Sequence, residues 1–454
     1  MAGRGSGHFD VAIEGGTIVT PSGHVQAHLY VREGRIAAVG TDRLGATSTF
    51  DAAGLLVLPG MVDAHVHFMD PGDTSREDFP TGSAAALRAG VTTVIEHTHA
   101  HPVRTGEDLA DKRRHVEARS RVDFALAAHA WPGELAAVED AWRAGAAFVK
   151  AFTCSTHGVP AHDAAALRAL LARAAALEAP CLVHCEDESL TAQAERVLRE
   201  AGRDDPKVVP EWRSRDAEAT ALAVLAVLAR STGAPVVAAH VSNADSADEL
   251  ARARAGGARI AVETCPQYLT LLEREVVEHD AFRKFTPPAR ARDEDDLLHM
   301  WRALADGTVD YVASDHAPST AAQKRAGSIW DVHFGLPGID TTFSILLDGA
   351  HEGLLGHERL VELYSQRPAQ LYGLYPRKGS LRPGADADVV LVDPEVEWTI
   401  ADADIVSKAG WTPYVGRRVR GRVVRTYARG VLAVDERSVL AEPGQGRFLP
   451  GPGA

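Results

Sequence analysis

Cysteine, methionine, lysine and aromatic residues are all scarce in this 454-residue chain. It has four Cys (Cys154, Cys181, Cys185 and Cys265), four Met, and only 6% Phe, Trp and Tyr together. Four thiols over this length argue against a disulfide scaffold, so a reducing compartment is expected. With few rings available, the core has to be built from Ala, Val and Leu. No stretch reaches the ~18 continuous apolar residues of a membrane span. The first ten residues are polar and glycine-rich, without the apolar centre of a secretory signal, so a cytoplasmic protein is expected. Excess positive charge is lacking too: 48 Lys+Arg against 62 Asp+Glu leave a net −14. That balance argues against nucleic acid or an anionic membrane as partner.

Only seven of the basic residues are Lys, whereas His is abundant at 20. A lysine in an unusual setting therefore needs a reason. The first 60 residues read as short β segments broken by Gly pairs, and the same texture returns over 386–393 and 421–435. Between them, eight short apolar runs alternate with Ala/Leu/Arg/Glu stretches of helical period, such as 162–179 and 214–233. Alternating strands and helices with fully apolar strands predict a parallel sheet covered by helices, and eight units over roughly 250 residues match a (β/α)8 barrel. The expected architecture is α/β. Residues 1–59 form the N-terminal part of a β-sandwich domain, 60–374 the barrel, and 375–454 the C-terminal part of the β-sandwich domain and a tail. That tail, Pro443 to Ala454, is Gly/Pro-rich and expected to be loose.

Nearly every barrel run begins apolar and ends polar. His65, His67, Glu96, His97, His99, His129, Lys150, His184, Glu186, His240, Glu263, Asp315 and His316 all lie near strand C-termini. In a barrel those ends converge on the face that carries chemistry. His65 and His67 sit at i and i+2 of one strand and can meet one metal ion. His184 and His240 end the fifth and sixth runs and add two more imidazoles, a donor type that suits zinc. Each histidine taken alone reads more readily as a hydrogen-bonded core or surface residue than as a ligand. Asp315 can act as ligand and proton acceptor, or simply shape a turn. Lys150 lies inside the apolar AAFVKAFT, where a buried ammonium is costly. Either it pairs with a buried acid such as Glu96 or Glu186, or CO2 converts it to a carbamate that bridges two metal ions. Spacing leaves both open.

The order H-x-H, Lys, His, His, Asp on successive strands resembles the amidohydrolase superfamily, and within it the cyclic amidohydrolases: allantoinase, dihydroorotase, hydantoinase and dihydropyrimidinase. PGMVDAHVHF, LVHCED, AAHVSNADS, ETCPQYL, KFTPPAR, SDHAP and LRPGADADVVLVD carry the resemblance over nearly the whole chain. It implies hydrolysis of a cyclic amide C–N bond at two divalent ions, usually Zn2+. His65, His67 and Asp315 would hold one ion and His184 and His240 the other, with a carboxylated Lys150 and a hydroxide between them. Asp315 would shuttle the proton to the leaving nitrogen. Family habit also implies a homodimer or homotetramer. A catalytically silent dihydropyrimidinase-like scaffold would have lost ligands, and here all six positions are filled. A mononuclear deaminase of the same superfamily would not need Lys150.

The second half of the chain, from SDHAPS through SKAGWTPYVGRRVRGRVVRTYARG, resembles allantoinase in order and spacing. Dihydroorotases usually have Arg where Met69 stands, Asn where His99 stands and His where Ser319 stands, so an orotate-type substrate is not expected. Hydantoinases usually place a Tyr shortly after the Lys, but AFTCSTH has none, and His157 is a candidate for that role. Met69, His99, His157, Thr286, Gly335 and Pro337 are the expected substrate contacts. His97 and His101 share the period of His99, with a solvated loop as the alternative for all three. Cys154 lacks a base arrangement for a thiol nucleophile, and 293–296 reads as the acidic first turn of a helix.

Overall fold

The computed structural model describes residues 8–454. Its centre is a parallel barrel whose strands, in order, are β1 (Met61–Val66), β2 (Val91–Glu96), β3 (Asp123–Leu126, continued by Ala128–His129), β4 (Val149–Phe152), β5 (Cys181–His184), β6 (Val236–Ala238), β7 (Ile260–Thr264) and β8 (Tyr311–Val312). Neighbours pair in parallel register throughout. The ring closes where Val66 bridges His316 and the His67 amide donates to the His316 carbonyl at 2.8 Å. Even-numbered Phe148 and Leu182 and odd-numbered Ile95 and Tyr311 fill the interior, while Val94, Val149 and Val183 pack outward under the helices. This two-sided burial explains why the strands read as continuous apolar runs.

Helices form where the Ala/Leu periodicity predicts them. Ala164–Leu177 starts on Asp163, whose side chain accepts from the Ala166 amide, and Arg215–Thr232 starts on Ser214 and stops at left-handed Gly233. The acidic run 294–296 is indeed the first turn of Glu294–Asp306, capped by Asp293. Among the described residues, no helix is long and apolar enough to cross a membrane.

The two ends of the chain build one β domain. Leu56–Pro59 pairs antiparallel with Val389–Thr399, joining N- and C-terminal strands into a single nine-stranded sheet. The hydrogen bonding is thus continuous rather than split between two sheets. The sheet folds back on itself: Arg35–Gly40, at one end, returns to the segment before Val389–Thr399, with Ile36 N donating to Ala385 O at 2.9 Å. Ile13, Leu29, Val57, Val389 and Leu391 fill the enclosed core.

The tail is not loose. Phe124 N donates to Arg447 O at 2.9 Å, and Leu449 N donates to Phe124 O at 2.7 Å. Leu449, 1% exposed, seals the N-terminal end of the barrel beside Tyr372 and Leu374. Gly446 and Gly451 run so close to the Val122 and Ala146 carbonyls that a Cβ would stand 2.0 Å from each. Here glycine serves close backbone approach, not freedom.

A buried ionic knot ties the β domain to the barrel floor. Lys378 Nζ lies 2.5 Å from Asp123 Oδ2 on β3 and 2.7 Å from Asp388 Oδ2, and Lys378 is 1% exposed. Arg429 also pairs with Asp123. Removing one partner of a buried pair strands the other charge. Lys378→Met is therefore expected to cost about 3–5 kcal/mol, read as a lower urea midpoint; an unchanged midpoint would show that the knot does not hold the domains.

Candidate metal centre

Six of the expected residues meet at the C-terminal mouth of the barrel. His65, His67, Lys150, His184, His240 and Asp315 line one small cavity of about 20 Å3. All but Asp315 are 1–2% exposed. Their placement depends on breaks in strand regularity. On β1, Val62 and Ala64 point into the barrel core, so strict alternation would bring Val66 inward next. A register shift between Asp63 and Val66 changes the parity. Val66 packs outward, and the His65 and His67 rings face each other with centroids 5.3 Å apart. After β6, His240 adopts a left-handed backbone (φ 38), and after β8 Asp315 does the same (φ 47). Such conformations are costly for non-glycine residues and cluster at functional sites.

Hydrogen bonds then fix which nitrogen of each imidazole is free. His65 Nδ1 donates to Glu263 Oε1 at 2.7 Å, and His67 Nδ1 donates to the His97 carbonyl at 3.1 Å. Both rings therefore keep a lone pair on Nε2. Asp315 Oδ1 stands 3.2 Å from the first Nε2 and 3.4 Å from the second. On the other side of the mouth, His184 Nε2 donates to Glu186 Oε2 at 2.9 Å, which leaves Nδ1 free. That Nδ1 lies 2.9 Å from His240 Nε2. Lone pairs thus converge at His65, His67 and Asp315, while His184 Nδ1 and His240 Nε2 share one proton between them; a cation can neutralise the first group and replace that proton in the second.

Lys150 stands between the two groups, and its Nζ has no hydrogen-bond partner. The acids that could have paired with it are engaged elsewhere. Glu96 pairs with Lys112 at 2.6 Å. Glu186 pairs with Arg213 at 3.0 Å and Arg290 at 2.7 Å. Burial lowers the Lys150 pKa, while Glu263 and Asp315 pull it back up. Burial likewise raises Asp315 well above the usual carboxylate range and brings Glu263 to about 7. A buried, unpaired amine beside converging imidazole and carboxylate lone pairs fits a site for divalent metal with nitrogen and oxygen donors.

Of the expected substrate contacts, His99, His157, Thr286 and Gly335 line the same cavity. The His99 and His157 rings stack with centroids 4.6 Å apart, and His157 lies at the solvent edge. The Thr286 hydroxyl donates to Glu186, which leaves it only as an acceptor towards a ligand. Met69 and Pro337 are not among the residues lining the cavity. The Met69 backbone is left-handed (φ 57), its amide is pinned by Thr98 Oγ1 at 3.0 Å, and its side chain is 4% exposed in the packed shell. His97 is buried beside His65, whereas His101 is exposed. Cys154 is no nucleophile: burial pushes its thiol to about 12.

Sequence reasoning gave no role to Glu263 and offered Glu186 only as a partner for Lys150, whereas the two set the tautomers of His65 and His184. It also missed Phe152, Ala317 and Phe334, which complete the cavity wall. Glu263 and Glu186 were visible as polar ends of apolar runs, but their partners lie on other strands.

Most of the imidazoles around the cavity are shifted down. Burial acts first on His65, His67, His97 and His240, and like charge on Lys150 and neighbouring rings adds to it. Burial brings His184 to about 4 and His129 to about 3, from an ordinary value of 6.5. Below 6.5 the unfolded chain therefore binds more protons than the folded one, and stability falls with pH. Metal-free protein is expected to lose thermal stability progressively from about pH 6.5 towards 3, and melting curves across that range test this. A midpoint that stays flat would mean the folded histidines titrate normally.

Comparison with known proteins agrees with the geometry. Residues 56–433 match the amidohydrolase family profile. The chain is 37% identical to an allantoinase of Rubrobacter xylanophilus over 448 residues, covering 97% of each chain. It is 35% identical to a dihydroorotase of Halobacterium salinarum, covering 90% of this chain and 94% of that one. The solved structure of an L-hydantoinase from Arthrobacter aurescens superimposes with a TM-score of 0.92 at 29% identity, covering 97% of this chain and all of that one. Fold, converging donor set and profile together place the chain in the amidohydrolase family.

Proposed function

We propose that the protein is a metal-dependent hydrolase of cyclic amides whose substrate is an uncharged ureide or hydantoin ring of the allantoin type. The observation that carries the substrate choice is the cavity lining. Lys150 is its only cationic side chain among the described residues, and no Arg reaches it. A substrate bearing a carboxylate would find no counter-ion there. The allantoinase relatives at 37% and 33% identity support the same reading.

The donor set suits two divalent ions, which we take to be Zn2+, held by His65, His67 and Asp315 and by His184 and His240, with Lys150 carboxylated between them. When bound, such ions polarise a carbonyl and lower the pKa of water. The chain's own residues do the rest. Glu263 and Glu186 hold His65 and His184 in the tautomers that present lone pairs to the mouth. The stacked His99 and His157, with Phe152 and Phe334 packed edge-on against them, offer an aromatic wall to a ring substrate. Asp315, in its ionised form, takes a proton from the attacking water and returns it to the ring nitrogen as the C–N bond breaks.

Metal-replete protein is expected to open allantoin or a hydantoin in preference to dihydroorotate, dihydrouracil and cyclic imides. Preferential opening of dihydroorotate would overturn the reading of the uncharged pocket. Asp315→Asn is expected to lower kcat by about 10²–10⁴-fold, with metal content measured alongside to separate proton transfer from ligation. Wild-type levels of turnover would remove Asp315 from the proton path.

A further inference from the structure

Among the further imidazoles at the mouth of the barrel, His97 packs against both His65 and His67 and has no role among the expected ligands. His97 extends β2 beyond Glu96, on the inward face it shares with Ile95. It is 1% exposed, and neither ring nitrogen has a hydrogen-bond partner. Its ring lies 4.3 Å from that of His65 and 4.6 Å from that of His67, centroid to centroid. One nitrogen from each of the three rings lies within 4.8 Å of the other two. Bonds of about 2.1 Å to a single ion would close that gap with small ring rotations. The free nitrogens of His65 and His67 are both Nε2, since Glu263 and the His97 carbonyl occupy their Nδ1 atoms. An imidazole unpaired on both nitrogens in a dry core is costly unless something binds it.

A second cluster, Cys154, His184 and Glu186, has comparable spacing. There, however, the Arg213 guanidinium lies 3.0 Å from both the thiol and the carboxylate, so a cation is already present. No such cation serves His97.

We propose that His97 is a metal ligand, and that His65, His67 and His97 form a three-imidazole site that retains one divalent ion without any contribution from Lys150. Three histidines with a fourth position open are a sufficient zinc site. Loading is then ordered: the first ion enters the imidazole face directly, and only the second depends on carboxylation of the lysine. This rests on the reading of His65 and His67 as ligands, and it separates their site from the lysine chemistry.

The test is metal stoichiometry and affinity, with Zn2+ or Co2+ as probe, on full-length protein stripped by chelator and reloaded in CO2-free buffer. Wild type and Lys150→Met are each expected to retain one ion after gel filtration. The double variant Lys150→Met/His97→Met is expected to bind that ion about 100-fold more weakly. Equal affinity in the single and double variants, or no retained ion in Lys150→Met, would overturn the proposal. X-ray absorption on one-ion wild type needs no variant: three imidazoles around the metal support it, and two contradict it. Bicarbonate distinguishes the two readings. If wild type stays at one ion with bicarbonate present while the His97 effect persists, the carboxylated-lysine reading fails and this one stands. If bicarbonate gives a second ion and His97→Met changes nothing, the reverse holds.

Discussion

The site depends on one electrostatic constraint: lone pairs brought together in a dry place with too few protons to share. His65 Nε2, His67 Nε2 and Asp315 Oδ1 converge within 3.4 Å, and His184 Nδ1 and His240 Nε2, 2.9 Å apart, have a single proton between them. Protonation would relieve the repulsion, but burial opposes a charge on any of the rings. Lys150 is the nearest cation, and its own desolvation opposes that charge too. A divalent ion resolves all three costs at once, because it binds neutral imidazole and ionised carboxylate.

The rest of the fold can be read as the apparatus that holds this arrangement against its own repulsion. Glu263 is anchored from several sides. It accepts from the His65 ring and the His240 amide, and Tyr311, itself 2.6 Å from Tyr372, donates to it. Glu186 is fixed by two arginines, a threonine and His184. Below them, the barrel core is closed by the tail and the Lys378 knot. Asp63 shows the same economy, binding the Ser314 amide at 3.0 Å and the Tyr364 hydroxyl at 2.8 Å, so that the β8 turn carrying Asp315 is tied to the strand carrying His65.

The barrel was legible because eight apolar runs with polar ends leave few alternatives once helices separate them. The cluster at the mouth was legible because polar residues at the ends of such runs have only one place to converge. What the sequence could not reveal is where the backbone breaks its own rhythm. The change of parity at Asp63 to Val66, and the left-handed turns at His240 and Asp315, decide which side chains enter the cavity. Met69 is the counter-example: its position in the motif suggested a pocket wall, but its turn buries it outside the cavity lining. The tail misled for a related reason. Gly and Pro there mark close packing under the barrel, which composition alone reads as looseness.

The most direct test of the account is anomalous diffraction at the zinc edge from crystals of protein loaded with Zn2+ in bicarbonate. Two peaks are expected, one among His65, His67 and Asp315 and one between His184 and His240, with density extending Lys150 Nζ into a group that touches both. A free Lys150 amine, or metal outside these two places, would contradict it.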